Sequence, residues 1–461
     1  MKIKKINLQI FILIFLELVL ICYVYYKDFI HWNGELKTIY IKYYFILGFA
    51  LIFTISILLF TNKLKTYILI SLYSFLISVY LVETTLIFFN PKNPKEYDKR
   101  TKFEIYKELK NKGIDIAPTF DQRYFLNNKK GNVYFGGISN QYTIFCNETG
   151  KFSFYKSDRY GFNNPDKVWD SKEVDFLLLG DSFIHGACVN ENENIGHYIR
   201  DITKKNAVSL GYVGWGPLTQ LAVLKEFMKN KKIKHILWFY YEADLLDLID
   251  EINYSFLQNY YDPFFSQDLI NKIEDRDNLI NNVVNKLSDE LSKNKLDQSS
   301  IDELSKNENI NIRFTLDASN IDKYNFVKFL KLTNIRKYFR FDFFFLKNFD
   351  IDEEVFKEYS QILKTVKNYA DENNAKLSVI FIPNSARFLP KLFYDPGKFW
   401  YRDRVINIIN NNNIHFIDFY NEIKKSGNPK KFYPFGLKIH FTPDGYKKLS
   451  QFVINEINSN D

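Results

Sequence analysis

Cysteine is scarce: the chain has three, Cys22, Cys146 and Cys188, in 461 residues. No two of them form a C-x-x-C pair, so neither a zinc ribbon nor a dithiol redox motif is present. Cys22 lies in an apolar run and reads as a buried thiol. Cys146 and Cys188 are free to pair if their surroundings are oxidising. Histidine is nearly as scarce, with six residues, and none falls in a metal-ligand spacing. There is no Gly-rich phosphate loop of the P-loop kind. The formal charge is +8, but Lys is interleaved with Asp and Glu instead of forming a basic stripe. That pattern reads as a solvated surface and points away from nucleic acid. The sequence calls for no cofactor and no metal.

Apolar residues are plentiful, at 46%, and aromatics reach 18%, mainly from 45 Phe and 32 Tyr. Three apolar runs free of Pro open the chain, at residues 6–26, 43–61 and 67–90. Each approaches the ~20 residues that cross a ~30 Å hydrocarbon core. A cleaved signal peptide suits the first run less well, because it is long and two more runs follow. Lys2, Lys4 and Lys5 precede the first run, and Asn62-Lys63-Leu64-Lys65 separates the second from the third. The positive-inside bias places both in the cytoplasm, although Lys27, Lys37 and Lys42 occupy the opposite loop. Three crossings then put residues 91–461 outside. Glu17 and Glu83 fall within the runs, where a helix end or a helix contact accounts for each.

The expected organisation has three parts. Residues 1–91 form a membrane domain of three transmembrane helices. Residues 92–165 form a Pro- and Asn-rich linker and a small β-rich module, with strand-like segments at 132–135, 142–146 and 151–155. Residues 166–461 alternate strands with helices. Strands are expected at 174–179, 207–210, 233–241, 376–382 and 415–419, and a closing helix at 443–457. This alternation predicts an α/β fold, a three-layer α/β/α sandwich around a parallel sheet. An insertion at about 250–350 interrupts it with amphipathic, charge-rich helices that form either a lid or a packing or partner surface.

One strand runs directly into Gly180-Asp181-Ser182. Sites gather at the carboxyl ends of parallel strands, Gly permits a sharp turn, and a helix N-terminus offers free N–H groups to an oxyanion. An N-cap role for Asp181-Ser182 explains the same residues more modestly. A serine nucleophile needs a base. Among the six histidines, His440 lies in a loop just before the closing helix, with freedom to reach Ser182.

These residues resemble the SGNH, or GDSL, hydrolase superfamily over roughly residues 166–250 and 375–461. Gly180-Asp181-Ser182 matches the nucleophile block, Gly214 in Gly211-Tyr212-Val213-Gly214-Trp215-Gly216 the oxyanion glycine, and His440 the closing histidine. The segment 156–163 (KSDRYGFN) is similar to the stretch that precedes this domain in membrane-linked relatives. The resemblance implies Ser182 and His440 as catalytic pair. It implies an oxyanion hole from Ser182, Gly214 and the residue at Asp244, and a membrane-anchored serine esterase acting on acyl esters, chiefly acetyl, of surface glycans or lipids. An O-acyltransferase and a degenerate binding module are the alternatives. Two departures stand out. Asp244 occupies the place of an oxyanion-hole Asn, so it is protonated, turned away, or replaced there by Ala243. Leu437 occupies the place of the Asp that orients the histidine, which leaves Asp418, Asp444 or a backbone carbonyl for that task.

Overall fold

The computed structural model describes residues 2–31, 37–89, 98, 100–122, 126–127, 131–293, 329–338, 351–388, 401–436 and 439–460. The linker at 90–95 and Leu437 lie outside the described residues. The chain divides into two compact units.

The first unit begins with α1 (Lys2–Tyr25), α2 (Lys37–Ile57) and α3 (Asn62–Phe89). All three contain stretches long and apolar enough to cross a membrane. Side chains such as Phe45, Phe49 and Phe75 face outward, as a lipid-facing surface requires. The two acids within the runs are both engaged. Glu17 accepts a hydrogen bond from Thr54 Oγ1 at 2.8 Å, joining α1 to α2. Glu83 is fully buried and accepts from Asn334 N, Asn334 Nδ2 and Ile335 N at 3.0, 3.1 and 2.8 Å. The short helix Thr333–Tyr338 of the insertion therefore belongs to this unit and not to the α/β layer.

The second unit is built on five parallel strands in the order β10-β9-β8-β6-β7. They are β6 (Glu173–Gly180), β7 (Ala207–Gly211), β8 (Lys232–Tyr241), β9 (Lys376–Ile382) and β10 (His415–Asp418). Each lies within a residue of its expected span. Strand pleating sends alternate side chains to opposite faces. Leu177, Leu179, Ile236, Trp238 and Phe381 enter one core, shared with α7 (Pro217–Phe227), α8 (Asp244–Ile252) and the helix Glu353–Glu372. Phe176, Leu178, Leu237, Phe239 and Ile380 enter the other, shared with α5 (Ser182–His185), α6 (Ile195–Thr203) and the closing helix Pro443–Asn460. The sheet is thus covered by helices on both faces. From β6 the chain moves to β7 on one side and then to β8 on the other. The carboxyl end of β6 is therefore the topological switch point, the place where open α/β sheets bind their ligands.

The β-rich module contains α4 (Lys102–Asn111), β1 (Ile116–Pro118), β2 (Leu126–Asn127), β3 (Val133–Tyr134), β4 (Tyr142–Ile144) and β5 (Phe154–Lys156). Helix α4, absent from the sequence expectation, starts at a capping box between Thr101 and Glu104. Among the described residues the module shares the sheet's core: Phe103, Tyr106, Phe120 and Phe135 pack into the same cluster as Leu177 and Val208. The first part of the insertion braces it. Arg276, on α9 (Ile273–Lys293), donates through Nη1 to Tyr160 O at 2.6 Å and Phe135 O at 3.2 Å.

Asp158 ties the module's trailing loop together. Its carboxylate, fully buried, accepts from Tyr160 N, Phe162 N, Asn164 Nδ2 and Trp169 Nε1 at 2.7–2.9 Å. Burial pushes the carboxyl up to about 6, and these donors pull it back down. Asp158→Asn replaces one acceptor oxygen with an amide that faces the donors. It is expected to destabilise the second unit by about 2–4 kcal/mol, seen as a lower Tm. An unchanged Tm would remove Asp158 from this role.

Candidate active site

Strand β6 ends at Gly180, and Asp181 then caps α5 by accepting from Phe183 N at 2.9 Å. The turn is tight. A Cβ on Gly180 would strike the Ile184 side chain, and one on Gly211 at the end of β7 would stand 2.5 Å from His185 N. Glycine at both strand ends lets α5 settle on the sheet edge with Ser182 at its first position.

Ser182 Oγ lies 2.8 Å from His440 Nε2. The two residues are 258 positions apart, and the fold brings them together at the switch point. The other side of the imidazole meets a residue that the sequence reading missed. His440 Nδ1 is 3.0 Å from Glu148 Oε1, and the His440 backbone N–H donates to Glu148 Oε2 at 3.1 Å. A carboxylate only accepts, so Nδ1 carries the ring proton and Nε2 is left as acceptor for the Ser182 hydroxyl. The result is a Ser–His–Glu line. The line remains reachable, with 15% of the His440 side chain and 20% of that of Glu148 exposed. Asp181 Oδ2 also faces Ser182 Oγ, but at 3.3 Å, the weaker of the two contacts. Burial pushes the Asp181 carboxyl up to about 6, and His440 pulls it down.

The residues expected to orient His440 do other work. Asp418 caps the helix Phe419–Lys425 through Tyr420 N at 3.1 Å and pairs with Arg402. Asp444 sits in the first turn of the closing helix and makes no hydrogen bond to His440 among the described residues. Glu148 comes from the turn between β4 and β5, outside the region of family resemblance. The turn is closed by Gly150 N donating to Asn147 O at 2.9 Å. It is linked to the segment that follows Ser182 by a disulfide between Cys146 and Cys188.

Asp244, expected at the oxyanion hole, is engaged with its own turn. It is fully buried at the start of α8, and its Oδ2 accepts from Tyr241 N at 3.1 Å. Burial, reinforced by Asp181, raises its carboxyl well above the usual range. Backbone groups remain for the oxyanion. The Ser182 N–H, at the first position of α5, has no intrahelical acceptor. Gly214 adopts φ 81° in the half-exposed loop after β7. That loop is held from two sides. Gln122 N donates to Val213 O at 3.1 Å, and buried Glu251 accepts from Gly216 N and Leu218 N at 2.8 and 2.9 Å.

Other residues near the strand ends are structural. Trp215 is fully buried and donates to Gln122 at 3.1 Å, which leaves it no face for a sugar. Arg387 forms a buried pair with Glu242. His185 is buried among Tyr155, Phe145 and Tyr212, and burial holds its pKa well below the ordinary value. The 156–163 segment and the next residue fasten the module to the site: Asn163 Nδ2 donates to His185 O at 2.9 Å, and Asn164 pairs with the backbone of Ser209 in β7 at 2.9 Å. Glu148, Cys188 and His440 bring their donor atoms within 4.8 Å of one another, as a metal site would. The sulfur, however, is spent in the disulfide, and the other two groups bond each other, so the trio does not fit a metal.

A carboxylate beside an imidazole favours its charged form. Glu148→Gln should therefore make His440 titrate at lower pH, and Asp418→Asn should leave it in place. NMR titration of histidine-labelled protein reads both, and the reverse pattern would reassign the orienting group. No protein-family model and no curated protein matches the sequence.

Proposed function

We propose that the protein is a membrane-anchored serine esterase of the SGNH hydrolase kind, acting on acyl esters, acetyl above all, of surface glycans or lipids. The observation that carries this reading is the unbroken line from Ser182 Oγ through His440 to Glu148 at the switch point of a parallel sheet. In the first half-reaction His440 Nε2 takes the Ser182 proton as Oγ attacks the ester carbonyl. The backbone N–H groups of Ser182 and Gly214 receive the oxyanion. Collapse breaks the bond to the alcohol oxygen, which leaves with the proton from His440. Water then attacks the acyl-serine, giving its proton to His440, and collapse returns that proton to Ser182 Oγ as the acid departs. An acyltransferase would differ only in using a hydroxyl acceptor in place of water.

Glu148 weighs against a degenerate binding module. Loss of the usual orienting Asp at Leu437 suggested decay, but another carboxylate does that work. The three apolar helices support anchorage in a membrane. The Cys146–Cys188 bond supports an oxidising, extracytoplasmic setting for the second unit.

A fluorophosphonate probe should label wild-type protein at Ser182 and fail on Ser182→Ala. Hydrolysis of a simple acetyl ester should fall roughly 10³-fold or more in Ser182→Ala and His440→Ala. Undiminished hydrolysis in folded Ser182→Ala would sink the reading.

A further inference from the structure

We propose that the Cys146–Cys188 disulfide is a positioning device, which holds the Glu148 carboxylate against His440. The bond joins the two segments that the site must align. Cys146 precedes Glu148 by two residues in the β4–β5 turn, and Cys188 follows Ser182 by six, just past the end of α5. Its Cα atoms are 4.8 Å apart, and it is buried on the Cys188 side among Phe145, Tyr155 and Ala187, with Val213 of the Gly214 loop against it. One covalent link thus touches the surroundings of the acid, the nucleophile and the oxyanion loop.

Among the described residues, the hydrogen bonds of the turn itself lead elsewhere. Phe145 N and Ser153 N bond across the β4–β5 hairpin to Ser153 O and Cys146 O, at 2.9 and 3.0 Å. Asn147 Nδ2 donates to Asp98 O at 2.8 Å, and Asp98 N to Gly150 O at 2.8 Å. These bonds shape the turn without directing it toward Ser182. Both arms of the hairpin also reach the segment after Ser182, through the Phe145 ring 4.2 Å from that of His185, Phe154 N to Asn190 at 3.4 Å, Lys156 N to Glu191 at 3.0 Å and Tyr155 to His185 at 2.8 Å, but none of these contacts is made by residues 146–150. The Glu148–His440 pair is itself partly exposed. Such a pair contributes little against the entropy of fixing a long glutamate side chain, so it does not hold the turn in place alone. The disulfide removes that freedom before the pair forms.

The positioning claim rests on the esterase reading only for its kinetic consequence. The test uses the full chain, comparing wild type, Glu148→Gln, the double variant Cys146→Ser/Cys188→Ser, and the triple variant combining them. NMR titration of His440, assigned by its loss in His440→Ala, is read beside ester hydrolysis. In the double variant, His440 should titrate at lower pH, as in Glu148→Gln, and kcat should fall about 10-fold or more with KM little changed. Adding Glu148→Gln to the double variant should then change neither value further, the non-additivity expected of residues acting through one contact. An unshifted His440 titration in the folded double variant, or effects that add in full, would overturn the proposal. Should the double variant not fold, wild-type protein is reduced with a water-soluble phosphine, which becomes its oxide as the disulfide becomes two thiols. A reversible His440 shift with cooperative unfolding retained supports positioning, whereas global unfolding assigns the bond to overall stability and overturns it. A wild type that hydrolyses no ester defeats the esterase reading, while the His440 titration still decides the positioning claim.

Discussion

A histidine beside a serine is useful to it only in one tautomer and one orientation, and in this chain Glu148 imposes both. Its two oxygens grip His440 at the ring Nδ1 and at the backbone N–H. With Nδ1 occupied as donor, Nε2 must accept, and Ser182 Oγ is the group 2.8 Å away. The contact spans 292 positions of sequence. The surrounding architecture serves to bring a turn of the β-rich module and the loop before the closing helix to the same strand end.

That requirement accounts for parts that look peripheral at first. The module shares its core with the sheet because an independent module would not hold Glu148 within hydrogen-bond reach. Asn163 and Asn164 stitch it to α5 and β7, and Arg276 buttresses it from behind. Glu251, whose carboxyl burial pushes up to about 7, binds the N-terminus of α7 and so fixes the Gly214 loop. These groups touch no substrate, but they set the geometry of those that would.

The sheet was legible in the sequence because buried parallel strands appear as short apolar runs with turns behind them, and β6 to β10 all do. Ser182 was legible because a strand, a glycine and a helix start sit side by side. His440 emerged by elimination among six histidines. Glu148 was hidden. A charged residue in a surface turn carries no periodicity, and its partner is close only after folding; Cys146, two residues earlier, was the single nearby clue. The burial of Asp244 and its bond to Tyr241 N were not legible, because a position in a motif says nothing of burial. Helix α4 escaped notice because its charged residues mask the apolar face, although the capping box of Thr101 and Glu104 was in view. The insertion was read as one piece, yet α9 packs on the second unit and the helix Thr333–Tyr338 belongs with Glu83 in the first.

The central claim is that Ser182 forms a covalent acyl intermediate with His440 as its base. Intact-mass spectrometry of the full chain, quenched in acid moments after mixing with an activated acetyl ester, tests it most directly. One acetyl group mapped to Ser182 in wild type, absent from His440→Ala and gone after longer incubation, is the predicted result. Hydrolysis that proceeds with the acetyl group on another residue, or with none on the protein, would contradict it.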